Sequence, residues 1–491
     1  MTLPEVSSLA RVDDATLARL RARFAELGLV PKNLEPIVLR AGGIHPILRR
    51  PALLFHLRRE KAPFALVARA LMFADPVAQS ELEAALPGLV GPLLDAGLLA
   101  MSEEGILSPF AWIAIGGFYL VADELAHGGD AVMGLGPATI ALATAAAPAK
   151  RISSALDLGC GAGTIALVLS LSADRVVATD VNPRALELTR FNARLNGVSN
   201  VEVREGSVFE PVAGERFDLI ASQPPFVPAI AGAGGSFMSG GPRGDEIASA
   251  VLKGLGGALS PNGRAVVITE WGHGHGMVTA PERVRAAVGE ARLDVIVFQL
   301  DPSSVDTHAV EYAAGLHPEL GPAFESDALR RREHCAELGY EVMAPTIVAI
   351  AAAGDRPPRF DVVPAGALGR IAPNARRIDR LLRGRALVAK IDSLLAAKLR
   401  MVDGVVLREE QVGPGAHVES TIAAVLPPAA MSDPVRLSPL LLRLASIVHE
   451  THNVRAGIDL YRQRHGIDDP VEKLTGVVGN AVLTGLLEIA D

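Results

Sequence analysis

Seven short apolar runs alternate with stretches of helical spacing between residues 127 and 353, and this alternation restricts the fold more than any other feature. Strands that are joined through helices run parallel, and a parallel sheet needs helices on both faces. We therefore predict an α/β fold with a doubly wound sheet over residues 127–355. The runs are SALDLG (154–159), RVVATD (175–180), VEVREG (201–206), FDLIAS (217–222), RAVVITEW (264–271), LDVIVFQL (293–300) and VMAPTIVAIAAA (342–353).

The regions on either side of this segment read as mainly helical. Residues 1–126 end in a helical stretch and two apolar runs around a turn at Glu104-Gly105, which predicts a winged-helix-like N-terminal domain. Such a domain can bind nucleic acid, but fold alone does not fix function, and we favour a dimerisation or substrate-lid module. The stretch RPPRFDVVPAGALG (356–369) has the composition of a linker, and we predict a mainly helical C-terminal domain over residues 356–491.

Two stretches of the flanks raise further possibilities. LPGLVGPLLDAGLLA (86–100) and LTGVVGNAVLTGLLE (474–488) align without gaps, so the flanks could share a repeated helix-strand unit, although chance is a serious competitor in a Leu/Gly-rich chain. The Arg-rich stretch at 375–400 has helical spacing. It could hold an anionic partner or form a solvated helix face.

Bulk composition excludes several classes of protein. The 491 residues carry a net charge of −8, so overall charge does not attract nucleic acid. Two cysteines, Cys160 and Cys335, provide neither a disulfide framework nor zinc spacing. The N-terminus lacks the pattern of a signal peptide, and proline and glycine interrupt the apolar stretch at 105–122. We predict a cytoplasmic protein without a membrane helix.

The first run, SALDLG, continues directly into a glycine-rich turn. Asp157 is followed by Gly159, Cys160, Gly161 and Gly163, in the order D-L-G-C-G-A-G. Glycines allow a sharp turn and let a ligand approach the backbone closely, and the helix that follows points its free N–H groups at the turn. This pattern predicts a site for a nucleotide-like cofactor. The spacing differs from the G-x-G-x-x-G of dinucleotide sites.

The second run ends in a carboxylate, Asp180, one strand–helix unit after the glycine turn. A carboxylate at this place can accept hydrogen bonds from both ribose hydroxyls of a nucleoside. Its alternative role is a helix N-cap. The fourth run ends in Gln223-Pro224-Pro225-Phe226, where two prolines stop a strand that reads as buried.

These motifs in this order resemble the class I S-adenosylmethionine-dependent methyltransferases. ALDLGCGAGTIAL, ATDVNPRALELTRFNARLNG and QPPF are most similar to the methyltransferase small domain branch, which includes release-factor glutamine and ribosomal RNA guanine-N2 methyltransferases. The resemblance covers about 130–275 strongly and reaches about 353. It implies a Rossmann-like sheet and S-adenosyl-L-methionine as cofactor.

The resemblance also assigns roles to residues. Asp157 and the glycines of the turn match the loop that holds the methionine part of the cofactor, and Asp180, with Val181 and Asn182 after it, matches the ribose-binding position. Ser207 stands where the family has an acidic residue, so adenine recognition is expected to use the backbone of Val208. The stretch VMGLGPATIALA (132–143) matches a helix that covers the cofactor, and its Thr139 could be only a helix-start residue.

The QPPF stretch matches the family motif Asn/Asp-Pro-Pro-Tyr/Phe, which lies beside the transferable methyl group. Proline fixes φ and restricts the residue before it, so Gln223 and a neighbouring carbonyl can hold a planar amide or amine in one orientation. Phe226 could stack on that acceptor. Gln223 in place of Asn adds a methylene. It could instead cap the strand end, and O-methylation or aliphatic N-methylation stays open.

Three functions follow from these patterns. We favour an enzyme that methylates a protein or RNA; a methyltransferase for a small metabolite or peptide natural product is the alternative. A winged-helix regulator with a non-catalytic cofactor domain is the third. Near the expected site, Glu270, His273 and His275 suit a general base or substrate contact, and we predict no metal because the H-x-H pair has no third ligand. SGGPRGDE (239–246) suits a lid.

Overall fold

The computed structural model describes residues 3–41, 46–124, 129–230, 238–364, 373–412, 419–425 and 435–490. The N-terminal region begins with six helices. They bury a large apolar core that also contains residues of a later helix, from Ala185 to Leu195. The helices are α1 (Asp14–Leu27), α2 (Pro31–Ala41), α3 (Pro46–Leu57), α4 (Pro63–Met72), α5 (Gln79–Ala85) and α6 (Val90–Asp95).

Two β-hairpins follow these helices. The first joins β1 (Ala100–Ser102) to β2 (Gly105–Leu107), where the sequence predicted a hairpin after a helix. The second joins β3 (Ala111–Ile115) to β4 (Phe118–Ala122). The apolar stretch at 105–122 therefore forms strands, and among the described residues no helix is long and apolar enough to cross a membrane. The winged-helix assignment stays a prediction.

The described residues of the central region form a nine-stranded mixed sheet, in the order β13-β10-β12-β9-β8-β5-β6-β7 with β11 beside β12. Each of the seven predicted apolar runs is a strand of this sheet. The strands are β5 (Ile152–Leu158), β6 (Ala173–Asp180), β7 (Val201–Glu205), β8 (Phe217–Ser222), β9 (Leu259–His273), β10 (Leu293–Gln299), β11 (Ser303–Ser304), β12 (Val342–Ala352) and β13 (Phe360–Val363).

Helices cover both faces of the sheet, as a doubly wound fold requires. One face packs against α7 (Pro137–Ala146), α8 (Thr164–Ser170) and the start of α9 (Pro183–Leu195), and the other against α10 (Glu246–Ala258) and α11 (Ala280–Val288). Buried strand residues alternate between the two cores; Val266 and Ile268 belong to the α7 core, and Ala265 and Val267 to the α10 core. The α/β Rossmann-like prediction is confirmed.

The expectation of a parallel sheet is wrong for β12, which runs antiparallel to both β9 and β10. The reason lies in the connection after β10. The chain stays at the carboxyl edge of the sheet, where it forms α12 (Val305–Leu316) and α13 (Pro322–Glu337), and it then returns through β12 from that same edge. A strand that starts where its neighbours end must run against them.

The stretch predicted as a linker contains an edge strand. β13 pairs in parallel with β10, so the sheet extends beyond residue 355. Asp294 of β10 binds the Arg356 guanidinium and accepts a bond from the backbone N–H of Arg359 at 2.9 Å, which holds this segment on the sheet. The domain boundaries at 126 and 355 remain a proposal.

The C-terminal region combines helices and short strands. The Arg-rich stretch forms α14 (Ala375–Val388), whose apolar side packs on the α7 face of the sheet. Its polar side chains form ion pairs within the chain, such as Asp379 with Arg264 of β9 at 2.9 Å. The remaining elements are α15 (Ile391–Ala396), β14 (Leu399–Met401), β15 (Val406–Val412), β16 (Glu419–Val425), β17 (Val435–Leu437), α16 (Pro439–Thr451), α17 (Val454–His465), α18 (Val471–Leu483) and β18 (Leu487–Ile489).

Candidate functional site

The glycine turn between β5 and α8 is tied to the end of the neighbouring strand. The backbone N–H groups of Gly159 and Cys160 both donate to the carbonyl of Thr179, at 2.8 and 2.9 Å. Gly159, Gly161 and Gly163 have φ of +80°, +53° and +82°. Residues with a Cβ rarely adopt these angles, so the turn requires glycine at these positions. The turn thereby forms one wall of a cavity at the carboxyl edge of the sheet.

Gly163 has a different role from the other two glycines. It does not line the cavity, and a Cβ on it would lie 2.9 Å from Cγ2 of Thr189 in α9. The Thr189 hydroxyl donates to the carbonyl of Gly161 at 2.9 Å. Gly163 thus allows α9 to pack against the turn and fix its shape.

Asp180 ends β6 and faces the turn across the cavity. Its carboxylate accepts bonds from the backbone N–H groups of Gly161, at 3.0 Å, and Asn182, at 2.9 Å. Burial raises the pKa of Asp180, although these bonds favour its ionised form. Asn182 caps α9, because its side chain accepts from the N–H of Arg184 at 2.9 Å. Asp180 is therefore not the N-cap, and its orientation suits a ligand in the cavity, which Val181 and Asn182 also line.

Asp157 lies at the bottom of the same cavity and is buried. Its carboxylate accepts a bond from the N–H of Ala166 in α8 at 2.8 Å. Burial, with a smaller effect from the charge of Asp180, raises the pKa of Asp157 to about 7. Burial also raises the pKa of the Cys160 thiol. Two carboxylates beside one cavity favour a ligand that carries positive charge.

Ser207 and Val208 line the cavity at the end of β7. Val208 has φ of +48°, an unusual angle for a β-branched residue. The N–H of Ser207 points toward Glu210, whose carboxylate accepts from it at 3.3 Å. Glu210 therefore supplies an acidic side chain to this turn, three positions after residue 207, where the family has its acidic residue.

Gln223 is held by a contact that the sequence did not suggest. The Thr139 hydroxyl, in the first turn of α7, donates to Oε1 of Gln223 at 3.0 Å. Ser222 just before it donates to the carbonyl of Leu158 at 2.7 Å, which ties the ends of β8 and β5 together. Thr139 thus has a role beyond starting a helix. It fixes the carbonyl end of the Gln223 amide.

The prolines and the phenylalanine of the QPPF stretch lie in different surroundings. Pro224 and Pro225 line the cavity with Gln223, whereas Phe226 does not. Phe226 packs instead against a small cluster that contains Val227 and Met238. Stacking of Phe226 on an acceptor would therefore have to occur outside the described cavity.

The segment at 239–246 is bound to this stretch. The backbone N–H of Gly240 donates to the carbonyl of Val227 at 2.9 Å, and a Cβ on Gly240 would lie 2.7 Å from the carbonyl oxygen of Pro225. Ser239 and Ile247 line the cavity. The predicted lid therefore has described residues in direct contact with the site, and residues 231–237 lie outside the described part.

One cavity of about 290 Å3 brings these groups together. This volume lies at the lower end of the range for small-molecule sites, which runs from about 300 to 1,000 Å3. Its lining includes residues that the sequence did not single out, among them Val251 of α10. It also includes Met133 and Gly134 before α7, which belong to the stretch 132–143 that the family resemblance predicts to cover the cofactor. The predicted residues that line the cavity are Asp157, Gly159, Cys160, Gly161, Asp180, Val181, Asn182, Ser207, Val208, Gln223, Pro224 and Pro225.

His273, the last residue of β9, and His275 do not line this cavity. His273 pairs with Val342 at the strand end, and His275 is exposed. Within the described ranges, no group of three or more His, Cys, Asp or Glu side chains could hold a metal ion.

Comparisons with known proteins identify this region. The profile of the family described as "Methyltransferase small domain" matches residues 134–269. The release factor glutamine methyltransferase of Aquifex aeolicus is 35% identical over 143 residues, which cover 27% of this chain and 50% of that enzyme. The release factor glutamine methyltransferase of Aliivibrio fischeri is 43% identical over 77 residues, 15% of this chain and 27% of that enzyme. This chain therefore spans half or less of the length of these relatives.

A solved structure, Trm5b from Pyrococcus abyssi, aligns with 52% of this chain and 62% of its own, at 14% identity and a TM-score of 0.31. The profile match spans the glycine turn, Asp180 and the QPPF stretch. Residues 134–269 therefore form a methyltransferase small domain of the class I S-adenosylmethionine-dependent type.

Proposed function

We propose that this protein is an S-adenosylmethionine-dependent methyltransferase that methylates the side-chain amide nitrogen of a glutamine in another protein. The observation that carries the proposal is a single cavity lined by both the glycine turn with Asp180 and the Gln223-Pro224-Pro225 stretch. The printed names of the relatives from Aquifex aeolicus and Aliivibrio fischeri support a release factor as the acceptor. Bacterial release-factor enzymes as relatives also support a cytoplasmic location.

The residues of the cavity fit this cofactor. Asp180 can accept hydrogen bonds from the ribose hydroxyls, and the turn from Gly159 to Gly161 leaves space for the methionine part beside Asp157. The carboxylates of Asp157 and Asp180 complement a ligand with a sulfonium and an ammonium group. When bound, S-adenosylmethionine supplies an electrophilic methyl group. The protein supplies position and electrostatics.

Gln223 suits the acceptor side of this reaction. Its carbonyl oxygen has two lone pairs, and Thr139 occupies one of them. The other can accept an N–H of the acceptor amide and stabilise the positive charge that develops on the nitrogen. Pro224 and Pro225 restrict the backbone on which Gln223 sits. Correct orientation of the two reactants can supply about 7–11 kcal/mol of the barrier in favourable systems.

In this proposal the N-terminal region helps to recognise the acceptor. Asp123, just after β4, accepts a bond from the N–H of Val132 at 2.8 Å, and Val132 lines the cavity. We therefore assign the region 1–126 a substrate-recognition role in this proposal, in place of nucleic-acid binding. The C-terminal region 356–491 has no assigned partner.

The test combines binding and transfer. Calorimetry should detect S-adenosylmethionine binding to the wild type, and tritiated cofactor should label a purified bacterial release factor. Mass spectrometry should place one added methyl group on a glutamine. Gln223→Ala should bind the cofactor and lose transfer. Label in RNA or in a small-molecule fraction, with none in the release factor, would refute the proposed acceptor, and absence of cofactor binding would refute the enzyme.

A further inference from the structure

A second group of buried polar side chains lies at the edge of the sheet that carries Gln223. In β9, Val266 and Ile268 face the core that contains α7. Side chains along a strand alternate between faces, so Glu270 points to the same side as these two residues. Glu270 is therefore a buried carboxylate beyond the apolar core, at the end where ligands bind in such sheets.

Gln223 shares both the face and the edge with Glu270. Ala221 of β8 belongs to the α7 core, and Gln223 follows it by two positions and contacts α7 through Thr139. β8 and β9 are parallel neighbours, with Ser222 opposite Val267. The two side chains therefore extend from adjacent strands past the carboxyl edge of the sheet on the same face.

Helix α12 brings a histidine to Glu270. Nε2 of His308 lies 3.2 Å from a carboxylate oxygen of Glu270, and the side chains are 3% and 11% exposed. Tyr312, one turn further along α12, stacks against the His308 ring with centroids 4.5 Å apart. A carboxylate that holds a histidine next to a reaction site is a recurring arrangement for moving protons.

The same face of α12 reaches the proline stretch. Leu316, a further turn along, is buried in a cluster with Val227 and Met238, and both Tyr312 and Phe226 pack against that cluster. Phe226 directly follows Pro225, which lines the cofactor cavity. The face of α12 that carries His308 therefore also packs against Phe226 and Val227, which directly follow Pro225 of the cavity.

Two buried polar atoms in this group have no partner within the described part of the chain. They are Nδ1 of His308 and Nη2 of Arg331, on α13, whereas Nε2 of His308 faces Glu270 without an aligned hydrogen bond. Nε of Arg331 donates to Asp327 at 2.9 Å. Buried polar groups are nearly always satisfied, so adjacent exceptions mark a place where a polar ligand or water binds.

We propose that Glu270, His308 and Tyr312 form the acceptor site, and that His308 takes up the proton which the acceptor loses on methylation. This inference rests on the proposed function and deepens it. The ligand class is a neutral primary amide, or another nitrogen that carries a hydrogen. Glu270 orients the imidazole and stabilises its protonated form, and the Tyr312 hydroxyl contributes a donor for the amide carbonyl.

The step balances in atoms and charge. The acceptor nitrogen forms a bond to the methyl carbon while the carbon–sulfur bond breaks and its electron pair goes to sulfur. The nitrogen, now positively charged, gives one proton to the unprotonated nitrogen of His308. The resulting imidazolium is paired with Glu270, and its proton leaves to water. No oxidant or other reactant is needed.

Charged and titratable groups from three elements lie around the His308–Tyr312 pair. Glu270 faces His308 from β9, Tyr312 packs on it from α12, and Glu311 of α12 and Arg331 of α13 act on Tyr312. A general base works only in its unprotonated form, so kcat should fall on the acid side of its pH profile, and this limb should depend on His308.

The test uses full-length His308→Gln, Glu270→Gln and Tyr312→Phe, with His465→Gln as a control because His465 is exposed and lies on α17, far along the chain from the site. Circular dichroism and melting first establish that each variant folds. Cofactor affinity should stay within about twofold of the wild type. His308→Gln should lower kcat by about 10²–10⁴-fold and remove the acid limb. Glu270→Gln should lower kcat less, and Tyr312→Phe should raise KM.

A folded His308→Gln variant that keeps wild-type kcat and the acid limb overturns the inference and leaves the proposed function intact. A wild type without cofactor binding overturns the proposed function instead. A second measurement needs no turnover. With ¹⁵N-labelled histidine, the His308 ring signals should shift when a release factor is added to protein loaded with S-adenosylhomocysteine. Unchanged His308 signals under saturating release factor also overturn the inference.

Discussion

Two carboxylates, the buried Asp157 and the half-buried Asp180, give the cavity its preference for positively charged ligands. Asp180 is held by two backbone N–H groups, whereas the described hydrogen bonds give Asp157 one, from Ala166. Burial raises the pKa of both, and for Asp157 the value reaches about 7. The two residues thus differ, because two backbone N–H groups favour the ionised form of Asp180 against its burial, whereas Asp157 changes charge near neutral pH.

Cofactor binding should therefore release protons from Asp157. A cation in the cavity favours the carboxylate, so binding lowers the pKa of Asp157 below about 7, and affinity rises as pH increases through that value. Calorimetry in two buffers of different ionisation enthalpy, at pH values on either side of the pKa, measures the released protons. Asp157→Asn keeps an acceptor for Ala166 and should bind more weakly, without the pH dependence. A wild-type affinity that is flat over this range contradicts the assignment.

Thr139 should act on the reaction through Gln223. Thr139→Val keeps the size of the side chain and removes the hydroxyl that donates to Oε1 of Gln223. Loss of one orienting hydrogen bond, worth about 1 kcal/mol, should lower kcat by about five- to tenfold. Thr139→Ser keeps the hydroxyl and should retain most of the activity. Steady-state kinetics with the release factor provides the comparison. Equal kcat for the Val and Ser variants would mean that Gln223 does not need this contact.

At the scale of elements, buried strands were predictable and their directions were not. Each apolar run became a strand because continuous burial on both faces leaves a clear pattern. The direction of β12 depends on α12 and α13 staying at one edge of the sheet, which no local pattern records. β13 was missed because its four residues stand between prolines and arginines that are typical of a linker.

Some parts of the candidate site were likewise predictable from the sequence, and others were not. The glycine turn, Asp180 and the proline pair were predictable because each lies in a short motif. The contacts of Thr139 with Gln223 and of His308 with Glu270 join residues that are distant in sequence. These pairs depend on how α7 and α12 pack against the edge of the sheet, and the sequence carries no spacing signal for them.

The packing of α9 against the glycine turn should depend on Gly163. Gly163→Ala introduces a Cβ at φ of +82° and 2.9 Å from Cγ2 of Thr189. The backbone angle alone costs about 1–2 kcal/mol, and the close contact adds to it. Gly214→Ala is a matched control, because Gly214 has the same φ of +82° with no atom within 4 Å of the added Cβ. Urea unfolding should show the larger loss for Gly163→Ala. Equal losses of unfolding free energy in the two variants would mean that α9 moves away from the added Cβ without cost.

At the scale of the whole molecule, both flanking regions share cores with the central region. The N-terminal core includes Leu188 and Phe191 of α9, and the α7 core includes Ile378 and Leu381 of α14. Regions joined through common cores transmit strain better than regions joined by linkers. The flanks are therefore placed to affect the cavity, and α9 is the element through which the N-terminal region does so.

Arg184 is the residue where this coupling should be largest. It pairs with Asp123 through both carboxylate oxygens and donates to the carbonyl of Pro4 at 2.7 Å, while Asp123 also holds Val132 of the cavity wall. The Asp123 side chain is fully buried. Arg184→Ala leaves that charge without its partner, which should lower the free energy of unfolding by about 3 kcal/mol.

The same variant should also bind S-adenosylmethionine more weakly, because the segment that contains Val132 loses its anchor. Arg190→Ala is the matched control on the same helix, since Arg190 is 45% exposed, its ion pair with Glu187 lies at the surface, and its bond to the carbonyl of Val203 is long, at 3.4 Å. That variant should change stability by less than about 1 kcal/mol and leave cofactor affinity unchanged. Thermal melts and calorimetry on both variants separate the effects. If Arg184→Ala loses stability but keeps wild-type affinity, the N-terminal region supports the fold without shaping the cavity.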